Sequence, residues 1–332
     1  MRAMSAPAPK LSRRISVAPM MDWTDRHCRY FLRKVSPSVL LYTEMVTAAA
    51  INHGDVPRLL GFDPSELPLA VQLGGSDPEA LARAATVSEN YGYQEINLNV
   101  GCPSDRVQSG SFGACLMAEP QLVAECVAAM KEAVSIPVTV KTRIGIDDQE
   151  SYEFLCAFID AVSRHCDSFV VHARKAILKG LSPKENRTVP PLMYERVYQL
   201  KRDYPELEIV INGGIQTVEQ VAGHLEQVDG VMIGRSAYHD PYFLAHLEQR
   251  FLNPDFQLPS RREIALSMLD YIEAEVSKGC RVHNITRHML GLFTGQPGAR
   301  KWRRALGEQA CRPDAGPEVV LQAVEAMSAE LG

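Results

Sequence analysis

The stretch from Gln94 to Ser104, Q-E-I-N-L-N-V-G-C-P-S, holds the side chain best placed for chemistry. Ile96, Leu98 and Val100 alternate with Asn97 and Asn99 as in a buried strand, and Gly101-Cys102-Pro103 continues neither a strand nor a helix without strain. Cys102 therefore stands at a strand's carboxyl end, in a turn whose residues suit backbone geometry and not packing. The other cysteines (Cys28, Cys115, Cys126, Cys156, Cys166, Cys280, Cys311) read as reduced and mostly buried small hydrophobes. No C-x-x-C occurs and none pairs with histidine at metal-ligand spacing, so no metal site is expected.

The element carrying Cys102 is one of a series. Short β-rich runs fall at Ile15 to Ala18, Val39 to Tyr42, Leu69 to Leu73, Glu95 to Val100, Pro137 to Lys141, Ser168 to His172, Glu208 to Ile211 and Gly230 to Ile233. Segments of helical length follow them, among them Pro78 to Asn90, Pro120 to Val134, Glu150 to Arg164, Tyr194 to Asp203 and Val218 to Leu225, with Asp77 and Thr217 placed as N-caps. Eight such units predict an α/β fold, a (β/α)8 TIM barrel, because near-continuous apolar strands need helices to cover them. After Phe251 the strand pattern stops. Ser260 is placed to cap a helix reaching about Lys278, and further helices are expected at His283 to Leu292, Ala299 to Glu308 and Glu318 to Leu331. The expected organisation is a mobile tail over 1–12, a barrel over 13–250, a linker over 251–259 and a small all-helical C-terminal domain over 260–332.

A barrel keeps its chemistry at the carboxyl ends of its strands, and polar or special-geometry residues cluster there. The first run leads into Ala18-Pro19-Met20, the third ends at Gln72-Leu73-Gly74-Gly75, and the fourth at Asn99 and Cys102. The fifth supplies Lys141 and Arg143, the sixth His172 and Arg174, the seventh Asn212-Gly213-Gly214 and the eighth Gly234-Arg235. The last two sit where barrels often bind phosphate on bare backbone N–H groups. Lys141 at such a rim could form a Schiff base, hold a phosphate, or place positive charge against an anionic cofactor.

The net charge of −5 speaks against a nucleic-acid partner only on average. From Val276 to Gly307 there is no acid, while Lys278, Arg281, Arg287, Arg300, Lys301, Arg303 and Arg304 are all basic, which leaves the remainder at −12. A basic face on an acidic body suits a phosphate-rich ligand that docks in one orientation. No apolar run reaches the length of a membrane span, and Met1 to Arg14 has no stretch resembling a signal peptide, so a cytoplasmic protein is expected.

The segments APMMDWTDRHCR, VQLGG, EINLNVGCPS, VKTRIG, VHAR, INGGI and GVMIGR, in that order, resemble the tRNA-dihydrouridine synthases. The L-x-x-K-x-N-R-x-x-P-P-L pattern from Leu181 to Leu192 and G-A-R-K-W-R-R from Gly298 to Arg304 are similar to the bacterial A-type subfamily. The resemblance implies an FMN-bound barrel with a helical tRNA-binding domain, which reduces D-loop uracil to 5,6-dihydrouracil, at positions 20 and 20a by subfamily analogy. NADPH would reload the flavin. It implies flavin contacts at Ala18, Pro19, Met20, Gln72, Lys141 and His172, and phosphate contacts at Asn212, Gly213, Gly214, Gly234 and Arg235. It also makes Cys102 the proton donor. A thiol suits that role, being protonated at neutral pH yet acidic enough to give its proton to carbon.

Asn99 and Arg143 are candidates for holding the uracil carbonyls, and Lys184, Arg187, Arg300 and Arg303 for holding tRNA. Trp302, between basic pairs, is expected to be core. No membrane and no stable protein partner are expected. Two other readings compete: an FMN-dependent barrel oxidoreductase of a small pyrimidine, and a tRNA-binding protein without chemistry. An aldolase-type use of Lys141 is disfavoured by N-x-G-C-P.

Overall fold

The computed structural model describes residues 11–104 and 112–328. Eight parallel strands form one sheet in the order β1-β8-β7-β6-β5-β4-β3-β2. They are β1 (Ile15–Val17), β2 (Leu41–Thr47), β3 (Leu69–Gly74), β4 (Glu95–Val100), β5 (Val138–Arg143), β6 (Ser168–His172), β7 (Glu208–Asn212) and β8 (Gly230–Ile233). The ring closes between the outer two, where Val17 N donates to Leu40 O at 2.9 Å and Leu40 N to Ile15 O at 3.3 Å. Helices after the strands pack their apolar faces on the outward-pointing Ile96, Leu98 and Val140, all fully buried. The result is the expected (β/α)8 barrel with helices following it.

Several local expectations are met for the expected reasons. Asp77 caps Pro78–Tyr91 by accepting from Ala80 N at 2.9 Å, and Thr217 and Gln220 form a reciprocal capping box on Val218–Leu225. The second strand differs. The apolar run ends at Tyr42, but the strand continues to Thr47 through a bulge between Tyr42 and Met45. Thr43 and Glu44 interrupt the apolar pattern yet belong to the strand, because the bulge lets Thr43 Oγ1 accept from Gln72 N at 3.1 Å.

The C-terminal helices are also more broken than their sequence suggests. Ser260 does cap, in a box with Glu263, but the helix divides into Arg261–Leu266 and Leu269–Ser277. Ser267 Oγ turns back to Ile264 O at 2.8 Å, competing with the backbone ladder. Of His283 to Leu292 only the start is helical, in Val282–Thr286, after which the chain runs in tight turns. Gly291 explains the departure: a Cβ there would lie 2.6 Å from His239 O and 2.8 Å from Tyr238 O, so the segment lies flat on the barrel. Ala299–Gln309 and Glu318–Ser328 complete the chain as described. The expected tail over residues 1–10 and the expected continuation of the last helix to Leu331 lie outside the described residues.

The barrel and the later helices meet on Arg26–Val35, the helix after β1. Tyr30 stacks on Tyr271 with ring centroids 3.7 Å apart, and Arg26 bonds Glu275 at 2.6 Å. Asp25, which caps this helix, receives Arg287 at 2.7 Å and His288 at 3.0 Å. Burial works to raise the Asp25 carboxyl, but the bonds from His288, Cys28 N and Arg287 outweigh it and hold the group well below the usual carboxylate range. Among the described residues, no helix is long and apolar enough to cross a membrane.

Candidate active site

The carboxyl ends of β3 and β4 bring together three of the expected residues, Gln72, Asn99 and Cys102, in one hydrogen-bonded turn. Asn99 is its hub: Oδ1 accepts from Gly101 N and from Cys102 N, both at 3.0 Å, while Nδ2 donates to Gln72 Oε1 at 2.8 Å. The turn after β4 is thus pinned by a side chain of the strand that delivers it. Ala114 N donates to Cys102 O at 2.9 Å from the far side, and the Cys102 thiol is half-buried, 3.5 Å from Ser104 Oγ. The cysteine expectation needs correction elsewhere: of the other seven, Cys28, Cys126 and Cys166 are buried, but Cys311 is exposed and the rest are intermediate.

Around this turn stands a group of cations that no carboxylate among the described residues neutralises. Lys141 lies in register beside Asn99, and Arg143 beside His172. Among the described residues Lys141 Nζ has no hydrogen-bond or ion-pair partner. Burial, and then the neighbouring Arg143, bring its pKa down to about 7. His172 is pushed well below its ordinary value by burial and by Arg143, Lys141, Arg174 and Arg187, so its ring is neutral. Arg187 and Arg235 complete the set, with Arg235 Nη2 donating to Arg187 O at 3.4 Å. A cluster with this much positive charge at the barrel's rim fits an anionic ligand.

Arg143 does something other than the sequence suggests. Its Nε donates to Gly101 O at 2.8 Å and its Nη1 to Lys175 O at 3.0 Å and Asn186 O at 3.2 Å. It ties the turn carrying Cys102 to the loop after β6. That loop is itself built on Asn186, fully buried, which exchanges bonds with Ile177 O at 2.9 Å and Ile177 N at 2.7 Å. Lys184 and Arg187 ride on it, Lys184 exposed and Arg187 half-buried, with Arg187 Nε donating to Pro183 O at 3.0 Å.

The ends of β7 and β8 form the expected glycine turns. Gly213 and Gly214 have φ of +123° and +72°, and a Cβ on Gly213 would sit 2.7 Å from the His172 ring, so both backbone shape and space require glycine. Asn212 Nδ2 donates to Met232 O at 2.8 Å, and Ser236 Oγ to Ile215 O at 2.9 Å, which fixes the two turns to each other. Gly234 has an ordinary φ and nothing within 4 Å of where a Cβ would be, leaving open backbone beside Arg235.

Arg174 is a side chain that sequence reasoning named at a strand end but gave no role. Its Nη1 bonds Thr188 O at 3.4 Å and Pro190 O, and its buried Nε has no partner. Ala18 and Met20 line the first strand's end, both buried, with half-buried Pro19 between them. Thr24 clamps them: its Oγ1 accepts from Met20 N at 3.0 Å and donates to Met20 O at 3.2 Å. The motif M-M-D-W-T contains that signal.

The basic stretch in the C-terminal helices is less free than its composition suggests. Lys278 pairs with Glu275, Arg287 with Asp25 and Arg304 with Glu308, acids that lie outside the acid-free run. Arg300 and Arg303 are exposed. Trp302 is core, fully buried, with its indole donating to Met289 O at 3.0 Å and its ring 4.7 Å from Phe293.

The closed parallel barrel, with a thiol-bearing turn, a cluster of cations and paired glycine turns at the carboxyl ends of its strands, defines a (β/α)8 protein of the enzyme-scaffold type. Comparison with known proteins makes this specific: residues 16–328 match the dihydrouridine synthase (Dus) family, and the chain belongs to it. It is similar to the tRNA-dihydrouridine(20/20a) synthases of Vibrio parahaemolyticus (58% identical over 320 residues, covering 96% of this chain and 98% of that one) and Shewanella oneidensis (59% over 322 residues, 97% and 96%). It is likewise similar to the one of Escherichia coli K12 (58% over 316 residues, 95% and 91%). Among solved structures, a 2-naphthoyl-CoA reductase complex superposes with a TM-score of 0.51 at 11% identity, covering 70% of this chain and 49% of that one, which shows the fold alone.

Proposed function

We propose that the protein is an FMN-dependent tRNA-dihydrouridine synthase that reduces the C5–C6 double bond of D-loop uridine, at positions 20 and 20a, with NADPH as reductant, in the cytoplasm. The observation that carries this reading is the set Lys141, Arg143 and Arg187 near Cys102, with Arg174 and Arg235 beyond them, which no carboxylate among the described residues neutralises. The residues fit the flavin. Lys141 is a cation in want of an anion, Arg174 has an orphaned N–H, and Gly213, Gly214 and Gly234 offer bare backbone. Ala18, Pro19, Met20, Gln72, Lys141 and His172 would hold the ring, and Asn212, Gly213, Gly214, Gly234 and Arg235 the phosphate. Bound there, the flavin supplies hydride to the uracil.

The chain's own work is to place the base and complete the reduction. Asn99 fixes the Cys102 turn, so that the thiol stands ready to protonate C5 of the uracil after hydride has reached C6. With an anionic ligand bound, Lys141 would take its charged form and supply positive charge beside it. Asn99 and Arg143 retain the assignment to the uracil carbonyls only in part, because Arg143 already holds three backbone oxygens and Asn99 both amide groups. We read Arg143 chiefly as a positioning residue.

Extracting a loop base costs a few kcal/mol, and contacts elsewhere must offset it. Lys184 and Arg187 on the loop after β6, and Arg300 and Arg303 on Ala299–Gln309, are proposed to grip the tRNA backbone. On this reading residues 260–332 form the tRNA-binding domain, joined to the barrel by 251–259. Nucleoside analysis of tRNA lacking dihydrouridine, incubated with enzyme and NADPH, tests the reading. Dihydrouridine at 20 and 20a is expected, and its absence from tRNA, or reduction of free uracil instead, would overturn it.

A further inference from the structure

The glycine turn after β7 is held from outside the barrel by one side chain that the reading above does not use. Tyr194 opens the helix Tyr194–Asp203, and its hydroxyl donates to Gly213 O at 2.7 Å. A carbonyl oxygen only accepts, so the phenol is the donor, and burial, which raises its pKa, keeps the proton on it at neutral pH. The ring is set from two sides. Met193 N donates to Ala173 O at 2.8 Å, which fixes the start of the helix just past the end of β6. His224, buried on Val218–Leu225, stands edge-on to the Tyr194 ring with centroids 4.6 Å apart, and the Tyr198 hydroxyl lies 2.7 Å from its Nδ1. The turn rests closely on this support: a Cβ on Gly214 would lie 2.6 Å from Leu192 and 3.0 Å from the Tyr194 hydroxyl.

What Tyr194 fixes is a peptide plane. Gly213 O and the Gly214 N–H belong to the same trans peptide unit, so the two groups point in opposite directions. With the oxygen turned toward Tyr194, the N–H of Gly214 faces away from that helix, and among the described residues it has no partner. The flanking units are tied elsewhere, Asn212 O accepting from Ala173 N at 2.9 Å and Ile215 O from Ser236 Oγ at 2.9 Å. The Gly213–Gly214 unit has the Tyr194 bond alone among the described residues. It is also the unit easiest to turn over. Glycine on both sides leaves no Cβ in the way of a half-turn, which would carry Gly214 from its φ of +72° into the negative region that every residue adopts. The rotated plane would present an oxygen where a phosphate needs a donor.

We propose that Tyr194 is a positioning residue for the phosphate end of the flavin: its hydroxyl locks the Gly213–Gly214 peptide with the Gly214 N–H toward the ligand. Tyr194 acts through the turn. The inference rests on the flavin reading, and within it on the phosphate lying at Asn212, Gly213 and Gly214.

Tyr194→Phe keeps the ring against His224 and removes the bond to Gly213. Wild-type and variant apo-proteins are titrated, by quenching of flavin fluorescence, with FMN and with riboflavin, which has the same ring system and no phosphate. Tyr194→Phe is expected to weaken FMN about tenfold and riboflavin less than about twofold, so the preference for FMN is largely lost. A second measurement needs no flavin: in crystals of the two apo-proteins grown without phosphate or sulfate, the Gly213–Gly214 plane is expected to be single in the wild type and rotated or split in the variant. An unchanged FMN affinity, an equal loss for FMN and riboflavin, or the wild-type plane retained in the variant would overturn the proposal. If the phenylalanine variant does not fold, Tyr194→Leu poses both questions. A wild-type protein that binds neither flavin would instead overturn the flavin reading, and one that binds both alike the placing of the phosphate, while the peptide plane would still decide whether Tyr194 sets the turn.

Discussion

Lys141 of β5 lies in register beside Asn99 of β4, and the two differ in one respect: every hydrogen-bonding group on Asn99 that faces the turn is engaged, while Lys141 Nζ has no partner among the described residues. On the proposed reading Asn99 chiefly holds the Cys102 turn, and Lys141 would hold the anionic ligand.

The Lys141 pKa, brought down to about 7 by burial and Arg143, gives FMN binding a proton linkage. At pH 8 the free protein carries mostly neutral Lys141, and an anionic ligand favours its charged form, so binding takes up close to one proton. Below about pH 6 the lysine is charged in both states and the uptake vanishes. Calorimetry in buffers of different ionisation enthalpy should show uptake that declines from pH 8 to pH 6 and is absent in Lys141→Met. Uptake unchanged by that substitution would assign the proton to another group.

Cys102→Ala should lower dihydrouridine formation by about 10²- to 10⁴-fold, the range of a lost general acid. Reduction of the bound flavin by NADPH and the affinity for tRNA should stay within a few-fold of wild type. Rapid-quench nucleoside analysis, stopped-flow absorbance and filter binding measure the three separately.

Neighbouring arginines on Ala299–Gln309 should differ. Arg303 is exposed and, among the described residues, without a carboxylate partner, whereas Arg304 already bonds Glu308 at 2.9 Å. Arg303→Ala is expected to weaken tRNA binding and to reduce the slope of log affinity against log salt by about one, and Arg304→Ala to do less of both. Equal effects from the two would mean that the Glu308 pair opens on binding.

Asp25→Asn should loosen the join between the barrel and the later helices, because Asp25 caps Arg26–Val35 and receives both Arg287 and His288. A loss of about 1–2 kcal/mol is expected, which for a chain of this size lowers Tm by a few degrees. Thr24, which clamps Met20, immediately precedes Asp25, so FMN affinity should fall with it, and thermal melts with and without FMN separate the effects.

The barrel was legible because its signals are local. The edges of β4, β6 and β8, and of Tyr194–Asp203 and Val218–Leu225, follow directly from apolar runs and caps. The rim residues were legible for the same reason: they stand just past each apolar run. What the chain's own pattern hides is partnership across long separations. Composition shows Val276 to Gly307 free of acid, but Asp25 reaches into it from more than two hundred residues away. Arg143 looks like a substrate contact until Gly101 O and Asn186 O are seen to occupy it. Glu95 reads as a strand's edge residue, and only the closed barrel puts it beneath Thr139, Asn97 and Gln72.

The central claim is that this barrel holds a flavin which passes its electrons to tRNA. The most direct measurement is the visible spectrum of the purified protein under anaerobic conditions, taken alone, after NADPH, and after addition of tRNA that lacks dihydrouridine. The account predicts oxidised-flavin bands that NADPH bleaches and that tRNA restores while free uracil does not. A protein that stays colourless after incubation with FMN, or whose reduced flavin is reoxidised by uracil as readily as by tRNA, would contradict it.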